Sequence, residues 1–379
     1  METRVPFGPV SQTSNFPPPP SLLYTRAVLQ RLAEQLACGD ALSDEQVTLA
    51  VGQLVDEQLA AESKADFLAA LARKGETTGE IAAFARELRD RCIQPALDSE
   101  TRSREILDVC GTGGDRLGTF NISTTVAIVV AAAAVTVAKH GNRAITSQAG
   151  SADVLEALGV RIDPGPDQAG RWLREHHFAF FFAPQYHPAF KNIAPARKLC
   201  AERGQRTLFN FLGPLLNPAR PSAQLIGVPR PELCEPIARV LQSLGVRRGM
   251  VVCGAVSATD LPAHLDELST LGETRVAEFY QDRGFMTSVM SLNGFSLQAA
   301  TLADLAGSDR SANTEIVRRL LRNQERGPKR DAVLLNAAAA LFVAGKTKSL
   351  DAGWDLAAEL IDSGKAEAKL KELVAASAA

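Results

Sequence analysis

Residues Glu105–Ala134 read EILDVCGTGGDRLGTFNISTTVAIVVAAAA. "EILDV" has the short apolar run of a buried strand, and "STTVAIVVAAAA" has the length and hydroxyl-rich opening of a buried helix. Between them lies a stretch dense in glycine, hydroxyl and amide residues. A strand, a glycine-rich turn and a helix start place several backbone N–H groups and the positive helix end around one point, which suits a phosphate. The stretch is not a Walker A loop, because no Gly-Lys-Ser/Thr follows. Its glycine spacing also differs from the dinucleotide fingerprint. A purely structural turn remains open at this stage.

Outward from that stretch, "VTVAKHG", "FAFFFAP", "AQLIGV", "GMVVCGA" and "TRVAEFY" are further candidate strands, alternating with helical segments such as "SADVLEALG" and "PELCEPIARVLQSLG". That alternation predicts an α/β domain with a mostly parallel central sheet. Upstream, Ser21 to about Asp98 repeats apolar residues at three and four, the pattern of a small N-terminal helical domain, with Ser43 and Thr78 as expected N-caps. The proline-broken segment from Tyr186 to Pro218 reads as an excursion from the sheet that returns to the helical domain, and the last third is helical. The expected organisation is a flexible Pro-rich tail over 1–20 and a helical domain over 21–100 completed by about 188–215. The α/β domain takes 101–187 and 216–379.

Composition bounds the function. The 379 residues are 46% hydrophobic, and 41 Lys and Arg against 43 Asp and Glu give a net charge of −2. Such a balance speaks against a nucleic-acid or membrane-surface partner. The longest apolar run, Val126–Ala138, falls short of the ~20 residues of a membrane span. Six scattered cysteines without CxxC spacing predict buried free thiols in a reducing cytoplasm. The opening segment "METRVPFGPVSQTSNFPPPPS" has neither the apolar stretch nor the cleavage site of a secretory signal.

Two further clusters add chemistry. In "AKHGNRAITSQAGSADVLEALG", Ala138–Gly159, the cations Lys139, His140 and Arg143 stand with Asn142, Ser147 and Ser151 near a strand end and a helix start. This is either a second anion site or a solvated basic turn; two such sites on successive strand ends favour the anion site. In "HLDELS", His264–Ser269, adjacent Asp266 and Glu267 can hold Mg²⁺ through oxygen, although an isolated Asp-Glu pair is also a common solvated loop. A phosphate cradle, cations and magnesium carboxylates together suit a substrate carrying pyrophosphate. Asp115 inside the cradle points to a metal-linked or hydroxyl-rich ligand.

"GTGGD" with "NIST", "KHGNR", "GSADVLEALG", "RTLFNFLGPLLNP" and "DELS", in this order, resemble the anthranilate phosphoribosyltransferases from about Ser21 to the C-terminus. The resemblance implies a small helical domain joined to a larger α/β domain of the nucleoside phosphorylase and phosphoribosyltransferase type, in a homodimer. It implies transfer of 5-phosphoribosyl from phosphoribosyl pyrophosphate (PRPP) to the amino group of anthranilate, releasing pyrophosphate, in tryptophan biosynthesis. The positions matching the donor site are Gly111, Gly114, Asp115, Thr119, Asn121, Ile122, Ser123, Thr124, Lys139, His140, Gly141, Asn142, Arg143, Ser147 and Ser151. Mg²⁺ falls to Ser123, Asp266 and Glu267; anthranilate falls to Gly111, Asn142 and Arg197, with Arg197 facing the carboxylate. No strong general base is implied. His140 is either a weak proton acceptor or, in the favoured reading, a packing and orienting side chain, and His176, His177 and His187 are read as structural.

Two departures from the family pattern stand out: a segment between Arg197 and Thr207 a few residues longer than usual, and His264 where glycine is common. A pyrimidine nucleoside phosphorylase and a noncatalytic nucleic-acid-binding relative are the alternatives on the same fold. "KHGNR", "NIST" and the paired "DE" favour the transferase.

Overall fold

The structure is a computed structural model that describes residues 22–144, 148–257, 263–280 and 283–378. The expected Pro-rich tail and Ser147 lie outside the described residues. Four helices open it: α1 (Leu22–Ala37), α2 (Asp44–Val55), α3 (Ala61–Lys74) and α4 (Thr78–Asp90). Ser43 caps α2 in a capping box with Gln46. The cap of α4 is Thr77 and not the expected Thr78, because the Thr-x-x-Glu spacing sets its hydroxyl to accept from Glu80 N while the Glu80 carboxylate returns to the cap N–H.

After α5 (Ser99–Ser103) come β1 (Ile106–Gly111), α6 (Ile122–Ala132), β2 (Thr136–Gly141), α7 (Ser151–Ala157), α8 (Pro166–His176), β3 (Phe178–Phe182), α9 (Ala183–Tyr186) and α10 (Ala194–Glu202). The chain continues through β4 (Ala223–Gly227), α11 (Cys234–Ser243), β5 (Arg248–Val256), β6 (Ala263–Leu265), β7 (Thr274–Tyr280) and β8 (Arg283–Met290). It closes with α12 (Arg310–Leu321), α13 (Pro328–Val343), α14 (Leu350–Asp362) and α15 (Lys365–Ala378).

The strands form one sheet in the order β3-β2-β1-β4-β5-β7-β8, with β6 paired to β5. Every pair from β3 to β5 is parallel, and β7 and β8 run antiparallel. The winding reverses between β1 and β4, so a crevice opens beyond their carboxyl ends. The mostly parallel sheet is as expected; β6 and the antiparallel β8 are additions.

Each sheet face carries its own core. One packs α6, with Val126 to Ala131 fully buried, against residues of α7 and α12–α15. The other joins α1–α4 to Ile193, Ala196 and Cys200 of the α10 region, to Leu208–Leu216 and to α11. The excursion therefore packs on the helical bundle. Among the described residues, no helix is long and apolar enough to cross a membrane.

Candidate active site

The crevice is built first by close approaches. A Cβ on Gly111, at the end of β1, would sit 2.4 Å from Asp266 Oδ2. One on Gly227, at the end of β4, would meet the Asp266 carbonyl oxygen at 1.5 Å. Only bare backbone admits the Asp266–Glu267 turn between the two strand ends. Gly113 and Gly114 take positive φ, 77° and 90°, and the Gly113 N–H donates to Asp266 Oδ2 at 2.6 Å. Glu267 Oε1 accepts from Ser123 N at 3.2 Å, in the first turn of α6. The glycine loop, the helix start and the paired carboxylates thus meet at one place.

Their electrostatics are unbalanced. Burial, then Asp115 and Glu267, push the Asp266 carboxyl well above its usual range, and burial pushes Glu267 up to about 7. Lys139, 1% exposed, lies beneath them and donates to Val109 O at 2.7 Å and Ser123 Oγ at 3.4 Å. Burial lowers the pKa of its ammonium, with Cys110, Asp108 and Glu267 opposing. One ammonium cannot offset Asp115, Asp266 and Glu267 when all three are ionised, which makes them a donor set suited to a hard divalent cation. Among the described residues, no three His, Cys, Asp or Glu side chains form a metal cage by themselves. Oxygens from a ligand or water must therefore complete any coordination.

The rest of the loop is held by its neighbours. Asp115 Oδ1 accepts from Leu117 N, and Thr119 pairs with Ala306. Asn121 spends its amide on Ala149 O and accepts from Asn313, leaving the start of α6 without a side-chain cap. Ile122 and Thr124 are buried in the first turn, where they fix its direction.

At the end of β2, a Cβ on Gly141 would lie 2.3 Å from Ser151 Oγ, so the "KHGN" turn packs directly on the start of α7. Ser151 Oγ donates to Asn142 O at 3.4 Å. The Arg143 guanidinium is engaged by Asp153 at 3.1 Å and Glu156 at 3.0 Å, side chains one helical turn apart on α7.

The other wall comes from the excursion. His140 Nδ1 lies 3.1 Å from Gly213 O, its Nε2 is buried without a partner, and burial, then His187, push the ring down to about 3. Because a carbonyl only accepts, Nδ1 carries the proton and Nε2 offers a lone pair. The His140 and His187 rings stand 5.2 Å apart, His187 and Phe190 5.1 Å, and Phe190 and Phe209 5.7 Å. Arg197 on α10 lies 5.4 Å over the Phe209 ring, and burial lowers its pKa with no carboxylate opposing. An aromatic wall thus links His140 to a cation.

Sequence reasoning missed His187, Phe190 and Phe209 as wall residues, and no spacing signal connects them to His140. It also missed buried Asp108 and Asn217 under the site. Asp108 accepts from His140 N and Asn217 Nδ2, and burial raises its carboxyl to about 6.

The comparisons agree with this architecture. Residues 103–367 match the glycosyl transferase family a/b domain, and residues 27–92 match its helical bundle domain. The anthranilate phosphoribosyltransferase of Petrotoga mobilis is 42% identical over 90% of this chain and 94% of its own. The crystal structure of the Thermus thermophilus enzyme superposes with a TM-score of 0.81 at 40% identity, covering 92% of this chain and 99% of that one. The Saccharomyces cerevisiae enzyme in complex with PRPP and Mg has a TM-score of 0.81 at 25% identity, covering 93% and 98%. The chain belongs to the anthranilate phosphoribosyltransferases, pentosyltransferases of the glycosyl transferase family that move 5-phosphoribosyl from PRPP to anthranilate in tryptophan biosynthesis.

Proposed function

We propose that the crevice between β1, β4 and α6 holds PRPP and that the aromatic wall ending in Arg197 receives anthranilate. The observation that carries this is the double anchoring of the carboxylate pair, Asp266 to Gly113 N and Glu267 to Ser123 N. It joins the metal-type oxygens to the two backbone features that favour phosphate. The diphosphate takes the Gly111–Gly114 loop, Asp115, Thr119 and the α6 start from Asn121 to Thr124. The phosphoribosyl part takes the segment from Lys139 to Ser147, with Ser151.

Asp266, Glu267 and Ser123 would hold Mg²⁺, which would supply neutralising charge to the departing pyrophosphate. Lys139 and the helix start hold the same charge in place. Departure leaves positive charge over the ribose C1 and ring oxygen, and the neutral aromatic amine attacks there. Positioning dominates, since a neutral amine needs no strong base. His140, neutral and with a bare Nε2, orients the amine by accepting its N–H, and Arg197 fixes the carboxylate. Arg143, held by Asp153 and Glu156, reaches the phosphoribosyl group only by giving up one of them.

The domain division proposed is 21–100 with 188–215 against 101–187 with 216–379, in a cytoplasmic homodimer. Six free thiols are consistent with a reducing compartment. Pure protein with PRPP, Mg²⁺ and anthranilate should consume anthranilate fluorescence. Absence of turnover, with thymidine phosphorolysis instead, rejects the site assignment. Sedimentation at a dimer mass checks the assembly.

A further inference from the structure

Lys64 is a charged side chain that the reaction leaves unexplained. It lies on α3 in the helical bundle, 1% exposed, and its Nζ donates to two backbone carbonyls, Asp56 O at 2.6 Å and Asn192 O at 2.9 Å. The link is reciprocal, since Asn192 Nδ2 donates to Val55 O at 2.8 Å. The next two residues of α3 hold the same partner element: Ala65 O accepts from Cys200 Sγ at 3.5 Å, and Asp66 pairs with Arg203 at 2.9 Å. Three consecutive residues of α3 therefore grip the segment that runs from Asn192 through α10.

What this grip positions follows from the chain. Asn192 precedes Ile193, which is fully buried, and Ile193 O accepts from Arg197 N at 3.1 Å. The carbonyl held by Lys64 belongs to the residue just before Ile193, and one helical turn leads from Ile193 to Arg197, whose guanidinium lies over Phe209. Phe190 of the aromatic wall lies just upstream, and its carbonyl accepts from Ile193 N. The Arg203 pair is exposed, so it is a weak restraint beside the buried ammonium.

We infer that Lys64 is a positioning residue for the acceptor end of the site, setting Arg197 and Phe190 by fixing the Asn192 carbonyl; this rests on the reading that Arg197 meets the anthranilate carboxylate. The donor site lies across the crevice on β1, α6 and the Asp266 turn, which Lys64 does not touch. Lys64 thus tunes acceptor recognition and leaves donor binding alone. Displacing a substrate-holding group by about 1 Å is enough to cost an order of magnitude or more.

The test is steady-state kinetics on the full chain with each substrate varied. Lys64→Met should raise KM for anthranilate about tenfold while KM for PRPP and kcat stay within about twofold. Asn192→Ala, which keeps Lys64 and removes only the reciprocal bond, should shift the same KM by less, and it decides the matter if Lys64→Met does not fold. In an Arg197→Ala background, Lys64→Met should add less than about twofold, because its effect runs through Arg197. Equal rises in both KM values, no rise in either, or full additivity with Arg197→Ala would overturn the inference. The underlying reading fails separately, if Arg197→Ala alone leaves KM for anthranilate unchanged.

Discussion

The Gly113 N–H and the Asp266 carboxylate are 2.6 Å apart across 153 residues of sequence, and this contact joins the glycine loop to the Asp266–Glu267 pair. Behind it, the space that a Cβ on Gly111 would need is filled by Asp266 Oδ2 at 2.4 Å, its Cγ at 2.7 Å and its carbonyl oxygen at 2.9 Å. Gly111→Ala must therefore move Asp266 or the loop. We expect kcat/KM for PRPP to fall about 100-fold with the circular dichroism spectrum unchanged. Retention of kcat/KM within threefold would show that the placement of Asp266 is not critical.

The carboxylate pair also makes a prediction about stability. Glu267 has its pKa raised from 4.5 to about 7 by burial, so the folded protein binds more protons than the unfolded chain between those values. The contribution of Glu267 to stability without metal must fall as pH rises through that window, and its loss is complete above about pH 7. The size is on the order of 1–3 kcal/mol. In EDTA, Glu267→Gln should melt a few degrees above wild type at pH 8, with the difference vanishing near pH 4.5. A variant melting at or below wild type at pH 8, or a difference that does not grow from pH 4.5 to 8, rejects the excess-charge account.

The strand, glycine loop and helix were legible because glycine density between two apolar runs has few other uses, and the parallel order followed from alternation. Strand β8 was not, because Met286 and Val289 face outward and the edge strand lacks a clear apolar alternation. For Arg143 the linear sequence shows a cation beside a turn. It does not show that Asp153 and Glu156 rise on one face of α7 to meet it. His187 had no signal at all: its place against His140 depends on how the whole excursion folds back.

Beneath the site, Asn217 is fully buried and satisfied at both ends of its amide. Nδ2 donates to Asp108 Oδ2 at 2.9 Å and Ala138 O at 2.7 Å, while Oδ1 accepts from Ala219 N at 2.9 Å. Asn217→Leu removes the strongest opposition to the burial of Asp108 and leaves buried backbone groups without partners. The expected loss is about 3 kcal/mol or more in urea unfolding. A loss below about 1 kcal/mol would mean that these bonds are replaced by water.

The acceptor side separates orientation from base catalysis. Burial holds His140 at about 3 and His187 at about 4, so both rings are neutral across the working pH range. The Gly213 carbonyl keeps the His140 proton on Nδ1, which leaves Nε2 able to accept a hydrogen bond without taking up a proton from a neutral solution. A general base with a pKa near neutrality would give an acid limb in kcat that disappears on substitution. An orienting ring gives none. Wild type and His140→Ala should therefore share the same kcat profile from pH 6 to 9, while the variant's KM for anthranilate rises about tenfold. Nitrogen NMR of labelled histidine should show neutral Nδ1–H tautomers for His140 at pH 6. An imidazolium signal there, or an acid limb with pKa 6 to 7 lost in His140→Ala, would make His140 a base and return proton transfer to the mechanism.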